Sequence, residues 1–170
     1  MSPRLKKRLF IGLGANLTPQ GYDNPRQGCL AALKTLADRY VEITAISRWY
    51  ESAPVPMSDQ PWYLNAVAMA ETRLLPADTL AALHQTEADF GRVRGQVNAA
   101  RVLDLDLLDF DGQINHDDRL TLPHPRLHLR AFVLLPLQEL AAAWRHPETG
   151  LPIDELVGQI PPDQQIRLAT

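Results

Sequence analysis

The sequence contains few of the residues on which several protein classes depend. Cys29 is the only cysteine, which excludes an intramolecular disulfide and a zinc site made of several cysteines. No stretch approaches the roughly 18 consecutive apolar residues of a membrane span. The apolar run at residues 9–13, behind a basic start, is also shorter than the core of a signal peptide. We therefore expect a cytoplasmic protein with no membrane partner.

Lysine is scarce as well, with 3 lysines against 14 arginines, and the net charge is −3. Because nucleic-acid binders are usually strongly basic, we expect no nucleic-acid partner. The arginine excess has two explanations, the base composition of the genome and the recognition of anions by the planar guanidinium fork. The positions of the arginines along the chain have to decide between them.

Two common nucleotide-binding motifs are missing. Gly12-Leu13-Gly14 is followed by Leu17 where a dinucleotide fingerprint needs a third glycine, and no Gly-Lys-Ser/Thr follows either. If the protein binds ATP, it does so by a route other than a Rossmann turn or a P-loop.

The order of predicted elements indicates an α+β fold. Apolar patterns predict strands at residues 8–13, 41–50, 62–72 and 103–110, and helices that begin at Pro25 (capped by Asn24) and Pro76. This strand–helix–strand–strand–helix–strand order matches the ferredoxin-like βαββαβ arrangement. It implies a mainly antiparallel sheet with helices packed on one face.

The remaining segments complete a single domain over residues 1–170, with its core at about 8–145 and a small C-terminal extension at 146–170. Asp111-Gly112 predicts a tight turn, followed by a short returning strand at residues 113–114. Residues 131–144 form a helical run interrupted by Pro136, and the tail holds one weak helix.

The strongest local feature is Asp104-Leu105-Asp106 inside an apolar strand. Side chains alternate along a strand, so Asp104 and Asp106 share one face, with Cβ atoms roughly 7 Å apart. Leu103, Leu105 and Leu107 take the opposite face, toward the core. Paired carboxylates suit Mg²⁺, which prefers oxygen ligands. The alternative is an exposed strand face on which both acids are simply solvated.

Arginine and histidine residues flank this strand on two loops, a composition typical of phosphoryl transfer. They are Arg92, Arg94 and Arg101 before the strand, and Arg119, His124, Arg126, His128 and Arg130 after it. The alternative is a set of surface salt bridges with the nearby aspartates at 109, 111, 117 and 118, worth about 0–1 kcal/mol each.

Three further residues have a chemical interpretation. Tyr63 and Asn65 lie two apart on one strand, so they provide an aromatic wall and an amide for a flat heterocycle, or merely an edge-facing polar pair. Glu87 falls seven residues after Leu80, on the apolar stripe of its helix. A carboxylate there needs a partner, which an arginine of the following loop would supply.

Five stretches, in this order, resemble the 6-hydroxymethyl-7,8-dihydropterin pyrophosphokinase family, and the likeness runs from about residue 8 to about 145. They are Ile11-Gly12-Leu13-Gly14-Ala15-Asn16-Leu17, Gln60-Pro61-Trp62-Tyr63-Leu64-Asn65-Ala66, Gly91-Arg92-Val93-Arg94, Arg101-Val102-Leu103-Asp104-Leu105-Asp106-Leu107, and Leu120-Thr121-Leu122-Pro123-His124-Pro125-Arg126 with Arg130-Ala131-Phe132-Val133-Leu134.

The resemblance implies an ATP-dependent diphosphotransferase of folate biosynthesis. It would transfer the terminal diphosphate of ATP to the hydroxymethyl group of the pterin and release AMP. On this basis Asp104 and Asp106 would hold two Mg²⁺ ions, and Arg92 and Arg101 would stabilise the transferring diphosphate.

The resemblance also implies the substrate contacts. The nucleotide would be held by His124 and Arg130, with Arg94, Leu107, Arg119 and Thr121 nearby. The pterin edge would be recognised by Asn65. The pterin ring would lie between Tyr63 and Phe132, and Ser52, Pro54 and Val55 would line the pocket.

The sequence departs from the family pattern in two loops. Asn98-Ala99-Ala100 replaces a frequent Trp-Gly-Pro, and Ser52-Ala53-Pro54 replaces a frequent Thr-Pro-Pro. From their composition we expect the loops at residues 52–61 and 92–100 to be mobile and to close over ATP, which would exclude water.

Two alternatives belong to other functional classes. A ferredoxin-like module could bind RNA or a protein, but an RNA reader needs paired aromatics and a basic patch where this strand has paired acids. A degenerate homologue could bind nucleotide without turnover. For the enzyme we expect only small-molecule partners and a monomer.

Overall fold

The computed structural model describes residues 2–93 and 99–170. The described chain forms eight strands, four α-helices and one 3₁₀ helix. In chain order these are β1 (Lys7–Ala15), α1 (Pro25–Asp38), β2 (Val41–Ile46), β3 (Tyr50–Ser52), β4 (Tyr63–Thr72), α2 (Pro76–Asp89), β5 (Asp104–Phe110), β6 (Asn115–Asp117), β7 (Leu120–Leu122), the 3₁₀ helix (Leu127–Leu129), α3 (Ala131–Leu140), α4 (Ile153–Gly158) and β8 (Ile166–Leu168).

The main sheet has the strand order β5-β1-β4-β3-β8, and β2 also pairs with β4. Every pairing described in this sheet is antiparallel. The four strands β5, β1, β4 and β2 follow the ferredoxin-like order, which confirms the predicted α+β class. The predicted strand at residues 41–50 is in fact two strands, β2 and β3. Between them the Ser47 amide donates to the Val67 carbonyl at 2.9 Å, but the Val67 amide donates to the Ser47 hydroxyl at 3.0 Å and not to a backbone carbonyl.

Helices cover both faces of the sheet, so the expectation of helices on one face is wrong. On one face, Leu9 and Ile11 of β1 join a core with α1 and α2. On the other, Phe10 joins a second core with α3 and α4. Both faces of β1 are therefore apolar, which is why its sequence is a continuous apolar run.

The sequence predicts where helix α1 begins better than it predicts which face of the helix is buried. The Asn24 side chain accepts from the Gln27 amide and Pro25 opens α1, as predicted. The buried stripe of α1, however, contains Cys29 and Leu36, whereas Leu30 is 38% exposed. Burial raises the pKa of the Cys29 thiol to about 12, which makes it an unreactive packing residue.

The segment after β5 differs from its prediction. Asp111 and Gly112 form the tight turn, with φ values of 52° and 69°. Residues 113–114 do not return along β5, since β6 begins at Asn115 and pairs with β7 in a separate two-stranded sheet. The tail contains the predicted helix, α4, and also an unpredicted strand, β8, at the edge of the main sheet.

Candidate active site

A glycine of β1, Gly14, forms the floor of the candidate site. Gly14 pairs with Asn65 of β4 on one side and with Asp104 of β5 on the other. A Cβ atom at Gly14 would lie 3.5 Å from Asn65 Oδ1 and 3.8 Å from the Asp104 Cβ. Because glycine carries no side chain, the sheet surface between the amide and the carboxylate stays open for a ligand.

Asp104 lies between two arginines that come from the preceding loop. Arg92 Nη1 is 2.5 Å from Asp104 Oδ1, and Arg101 Nη1 is 3.3 Å from Asp104 Oδ2. All three side chains are partly buried, with Arg92 only 14% exposed. The arginines therefore face the acids of β5, and the alternative of salt bridges to the surface aspartates does not apply to them.

Glu87 explains why Arg92 points into the site. Its carboxylate, 1% exposed, accepts hydrogen bonds from the Arg92 guanidinium and, at 3.0 Å, from the Leu105 amide. The predicted partner, an arginine of the following loop, is thus present. The buried Glu87 ties helix α2 to β5 and holds Arg92 against Asp104. A contact to the backbone of Leu105 could not be predicted from spacing.

Asp106 lies on the same face as Asp104 and has a strongly perturbed carboxyl group. Burial, and next the negative charge of Asp104, raise its pKa to about 7, whereas Arg130 acts in the opposite direction. Arg130 Nη1 is 4.0 Å from Asp106 Oδ2. Two crowded carboxylates with this cost of ionisation form a place where a divalent cation gains strong electrostatic attraction.

His124 is a neutral hydrogen-bond donor. Burial and the charges of Arg130 and Arg126 lower its pKa to about 4. Its Nδ1 accepts from the Arg126 amide at 3.1 Å, so in the neutral ring the proton is assigned to Nε2. The ring can therefore donate to an anionic group at any pH near neutrality.

Three of the predicted pterin residues, Ser52, Tyr63 and Asn65, lie together on the other side of Gly14. The Asn65 amide, buried to 3% exposure, donates to Ser52 Oγ at 2.7 Å and to the Tyr63 carbonyl at 3.3 Å. The Tyr63 hydroxyl donates to the Ala99 carbonyl at 3.1 Å. Asn65 is a fixed interior group, which excludes the edge-facing polar pair as its explanation. The Arg130 guanidinium lies over Phe132, with its Cζ atom 5.3 Å from the centre of the Phe132 ring.

Asn16 has a role that we did not predict from sequence. Its side chain is 4% exposed and makes three hydrogen bonds. Nδ2 donates to Gln60 Oε1 and to the Pro61 carbonyl, both at 3.1 Å, and Oδ1 accepts from the Arg101 amide at 2.8 Å. Asn16 thereby joins the end of β1 to the two loops that carry site residues. The sequence points to Asn16 only through its place in the first of the stretches that resemble the family, residues 11–17.

Some predicted contacts are not formed by side chains. Leu107 is a core residue at 4% exposure, because alternation turns it away from the two acids, so only its backbone could meet a nucleotide. Val55 is 81% exposed on its loop. The side chains of Arg119 and Thr121 lie on the β6–β7 hairpin, where the Thr121 hydroxyl donates to the Asp117 carbonyl. Arg94 and Asn98 lie outside the described residues.

A separate cavity of about 300 Å³ lies near the start of β1, lined among others by Arg8, Phe10 and Trp144. It is at the opposite end of β1 from Gly14 and contains none of the predicted site residues.

Comparison with known proteins identifies the family. The sequence model of 7,8-dihydro-6-hydroxymethylpterin-pyrophosphokinase (HPPK) matches residues 10–142. The chain belongs to the HPPK family. Among curated relatives, the 2-amino-4-hydroxy-6-hydroxymethyldihydropteridine pyrophosphokinase of Pseudomonas aeruginosa is 40% identical over 91% of this chain and 93% of its own. The Haemophilus influenzae protein of the same name is 38% identical over 94% of this chain and 96% of its own.

Solved structures agree in fold. A Plasmodium falciparum HPPK-DHPS superposes with a TM-score of 0.72 over 94% of this chain at 13% identity. This chain spans 44% of that longer chain. Membership in the HPPK family makes the chain a pyrophosphokinase and confirms the activity expected from the sequence motifs. It decides against the alternative of a ferredoxin-like binding module. Among the described residues no helix is long and apolar enough to cross a membrane.

The donor set fits the magnesium that the family resemblance implies. In the described part of the chain no group of three or more His, Cys, Asp or Glu side chains is arranged to hold a metal ion. The donor set to which the resemblance assigns the magnesium is the pair Asp104 and Asp106. Two carboxylates are enough for Mg²⁺, which completes its shell with waters and phosphate oxygens. Burial, and next the charge of Asp104, raise the pKa of Asp106, and a bound cation would favour the ionised form of this carboxyl group.

Proposed function

We propose that this surface over β1 and β5 is the catalytic site, with each residue in the role predicted from the family resemblance. Asp104 and Asp106 hold two Mg²⁺ ions, which when bound neutralise phosphate charge and keep the triphosphate in a reactive arrangement. ATP lies over β5, and the pterin occupies the floor between Asn65 and Phe132. The convergence of Arg92, Arg101 and Arg130 on the two acids supports this proposal.

The reaction is a transfer of diphosphate. The hydroxymethyl oxygen of 6-hydroxymethyl-7,8-dihydropterin forms a bond to the β-phosphorus of ATP. The bond from that phosphorus to the oxygen bridging to the α-phosphate breaks, AMP leaves with this oxygen, and the hydroxyl proton is released to the medium. Since the protein forms no covalent bond, positioning and charge neutralisation supply the rate.

The arginines supply the charge neutralisation. Arg92 and Arg101 carry fixed positive charge next to Asp104, and Glu87 and Asn16 fix them in place through the Arg92 side chain and the Arg101 amide. Preorganised charges of this kind stabilise a transition state because they do not have to reorient during the reaction. His124 adds a neutral donor and Arg130 a further cation on the nucleotide side.

The amide of Asn65 and the two aromatic rings select the pterin. Asn65 can donate and accept at the edge of the heterocycle, and its hydrogen bond to Ser52 fixes the plane of the amide. Tyr63 and Phe132 supply flat apolar surfaces for the ring. The monomeric state and the cytoplasmic location stay predictions.

Mass spectrometry of the products tests the activity. Incubation with ATP, Mg²⁺ and 6-hydroxymethyl-7,8-dihydropterin is expected to give AMP and a diphosphorylated pterin in equal amounts. Formation of ADP with a monophosphorylated pterin would contradict the proposed attack on the β-phosphorus. Binding of ATP with no product would favour the degenerate homologue.

A further inference from the structure

The C-terminal end of the chain contacts both sides of the candidate site. Strand β8 pairs with β3, with Ser52 opposite Ile166 and Tyr50 opposite Leu168. Two hydrogen bonds extend this pairing, from the Ala53 amide to the Gln165 carbonyl at 3.1 Å and from the Ala169 amide to the Trp49 carbonyl at 2.9 Å. Without β8, the three-residue strand β3 would be an unpaired edge next to the loop that carries Ser52 and Pro54.

The same segment is also anchored by side chains. Arg167 Nε donates to Glu51 Oε2 at 2.8 Å, and its guanidinium lies over the Trp62 ring, 4.5 Å from the ring centre. Glu51 lies in β3, and Trp62 is the residue just before β4. This contact joins the C-terminal segment to the strand pair that holds Ser52 against Asn65.

One residue of the tail reaches the opposite side of the site. Gln164 Oε1 accepts from the Ala131 amide and Gln164 Nε2 donates to the Leu129 carbonyl, both at 2.8 Å. Ala131 is the first residue of α3, and the helix has no side-chain cap from its own N-cap residue, Arg130. Gln164 therefore satisfies an amide at the helix start from a distance of 33 residues.

The position of this helix start matters because of its neighbours. Arg130 directs its guanidinium toward Asp106 and over the Phe132 ring. A shift of the backbone at Ala131 would move both side chains. The bidentate contact of Gln164 fixes this backbone at two points, one on each side of Arg130.

We propose that residues 164–169 are a positioning element for the pterin pocket, in which Gln164 sets the position of Phe132, on one face of the ring, while β8 sets the position of Ser52 and Asn65, at the edge of the ring. Gln164 touches no substrate and acts through Ala131 and Leu129. Because the ring has to contact Phe132 and Asn65 at the same time, loss of this link weakens pterin binding more than it slows the transfer. The proposal rests on the assignment of Asn65 and Phe132 to the pterin.

The test is Gln164→Ala with Gln165→Ala as the matched control. Gln165 is the adjacent residue of the same type, is exposed, and its side chain makes no hydrogen bond in the described part of the chain. At a temperature where all variants are folded, we expect Gln164→Ala to raise KM for the pterin about 5–10-fold and to change kcat less than about 2-fold, from the loss of two hydrogen bonds. Gln165→Ala should match the wild type.

A second variant separates positioning from general stability. Gln164→Glu keeps an acceptor for the Ala131 amide and loses the donor to Leu129, so its pterin KM should lie between those of wild type and Gln164→Ala. Hydrogen exchange at the Ala131 amide should stay slow in Gln164→Glu and become fast in Gln164→Ala. A lower melting temperature with an unchanged pterin KM in Gln164→Ala would overturn the proposal, as would a loss of kcat alone.

Variants of the proposed pterin residues distinguish a failure of the positioning role of Gln164 from a failure of the proposed pterin site. If Asn65→Ala and Phe132→Ala raise the pterin KM but Gln164→Ala does not, the tail has no positioning role. If Asn65→Ala and Phe132→Ala also leave pterin binding unchanged, then the pterin pocket lies elsewhere and both assignments are wrong.

Discussion

The chemistry of the site depends on a few charged side chains that would be costly to bury singly. Asp104 contacts two guanidiniums, and Glu87 shares the Nη1 group of one of them, Arg92, with Asp104. Buried charges need partners, because an isolated ion in a poorly solvated place loses its hydration without compensation. Asp106 is buried and is repelled by Asp104 and Glu87, and Arg130 and Arg92 offset this only in part, so its carboxylate would gain strongly from a bound cation.

This difference leads to a prediction for Asp106→Asn. The amide keeps the shape and removes the charge, so the variant should fold normally and lose kcat by about 10²–10³-fold, the usual effect of removing one charge-stabilising group. Steady-state kinetics at saturating Mg²⁺ and a thermal melt test both parts. Asp118→Asn, on the exposed β6–β7 turn, serves as the matched control. An Asp106→Asn enzyme with near-normal kcat would rule out the metal role.

His124 gives a prediction for pH. Its pKa is lowered to about 4 in the folded protein, against about 6.5 in an unfolded chain. Between these values the unfolded state binds more protons, so the contribution of His124 to stability is present above pH 6.5 and is lost as the pH falls toward 4.

The variant His124→Gln isolates this contribution. Relative to the variant, the wild type should lose about 2 kcal/mol of unfolding free energy between pH 7 and pH 4.5. Urea titrations of both proteins at the two pH values measure the difference, in which other titrating groups cancel. A parallel decrease in both proteins would mean that His124 is protonated freely in the folded state.

At the scale of elements, the long periodic segments were predicted from sequence and the three-residue strands were not. β4 and α2 match their predictions within a residue at the start, because Pro76 and the apolar pattern mark them locally. β8 has three residues and no pattern, and it is a strand only because β3 offers an open edge. Likewise β6 pairs with β7 and not with β5, whose outer edge receives the His124 amide at Leu108.

In the candidate site as well, contacts set by local spacing were predicted, and contacts between distant segments were not. Spacing placed Asp104 with Asp106 and required a partner for Glu87, since alternation and helical period are local properties. Asn16 and Gln164 were not predicted, because each acts on segments far away in sequence, Asn16 across 44 to 85 residues. A polar residue in a loop carries no local sign of such contacts.

Asn16 therefore gives a prediction about how elements are joined. Asn16→Asp keeps the acceptor for the Arg101 amide and replaces the donor that binds Gln60 and Pro61. We expect a loss of about 2 kcal/mol of unfolding free energy from two broken buried hydrogen bonds. Hydrogen exchange should remain slow at the Arg101 amide in Asn16→Asp and become fast in Asn16→Ala. Asn115→Ala is the control, since its side chain makes no hydrogen bond to another described residue. Unchanged stability in Asn16→Asp would show that the loops are held by other contacts.

For the whole molecule, the notable property is the contrast between a net charge of −3 and a site surrounded by guanidiniums. Negative charge elsewhere repels a free nucleotide, while the arginines attract it, as would the cation that we propose on the two acids. Nucleotide binding should therefore depend on the cation as much as on the arginines. A ligand that binds only the folded state also stabilises the whole domain by mass action.

A thermal melt with a non-hydrolysable ATP analogue tests this dependence. At about 100 times its dissociation constant, the analogue with Mg²⁺ should add about 2.7 kcal/mol and raise the melting temperature by roughly 5–10 °C. Removal of Mg²⁺ with EDTA at the same analogue concentration should abolish most of this shift, because the triphosphate then faces Asp104 and Asp106 directly. In Asp104→Ala the shift should lose its dependence on Mg²⁺, whereas Asp118→Asn should behave as the wild type. An equal shift with and without Mg²⁺ in the wild type would mean that the arginines bind the nucleotide alone and that the aspartate pair serves another purpose.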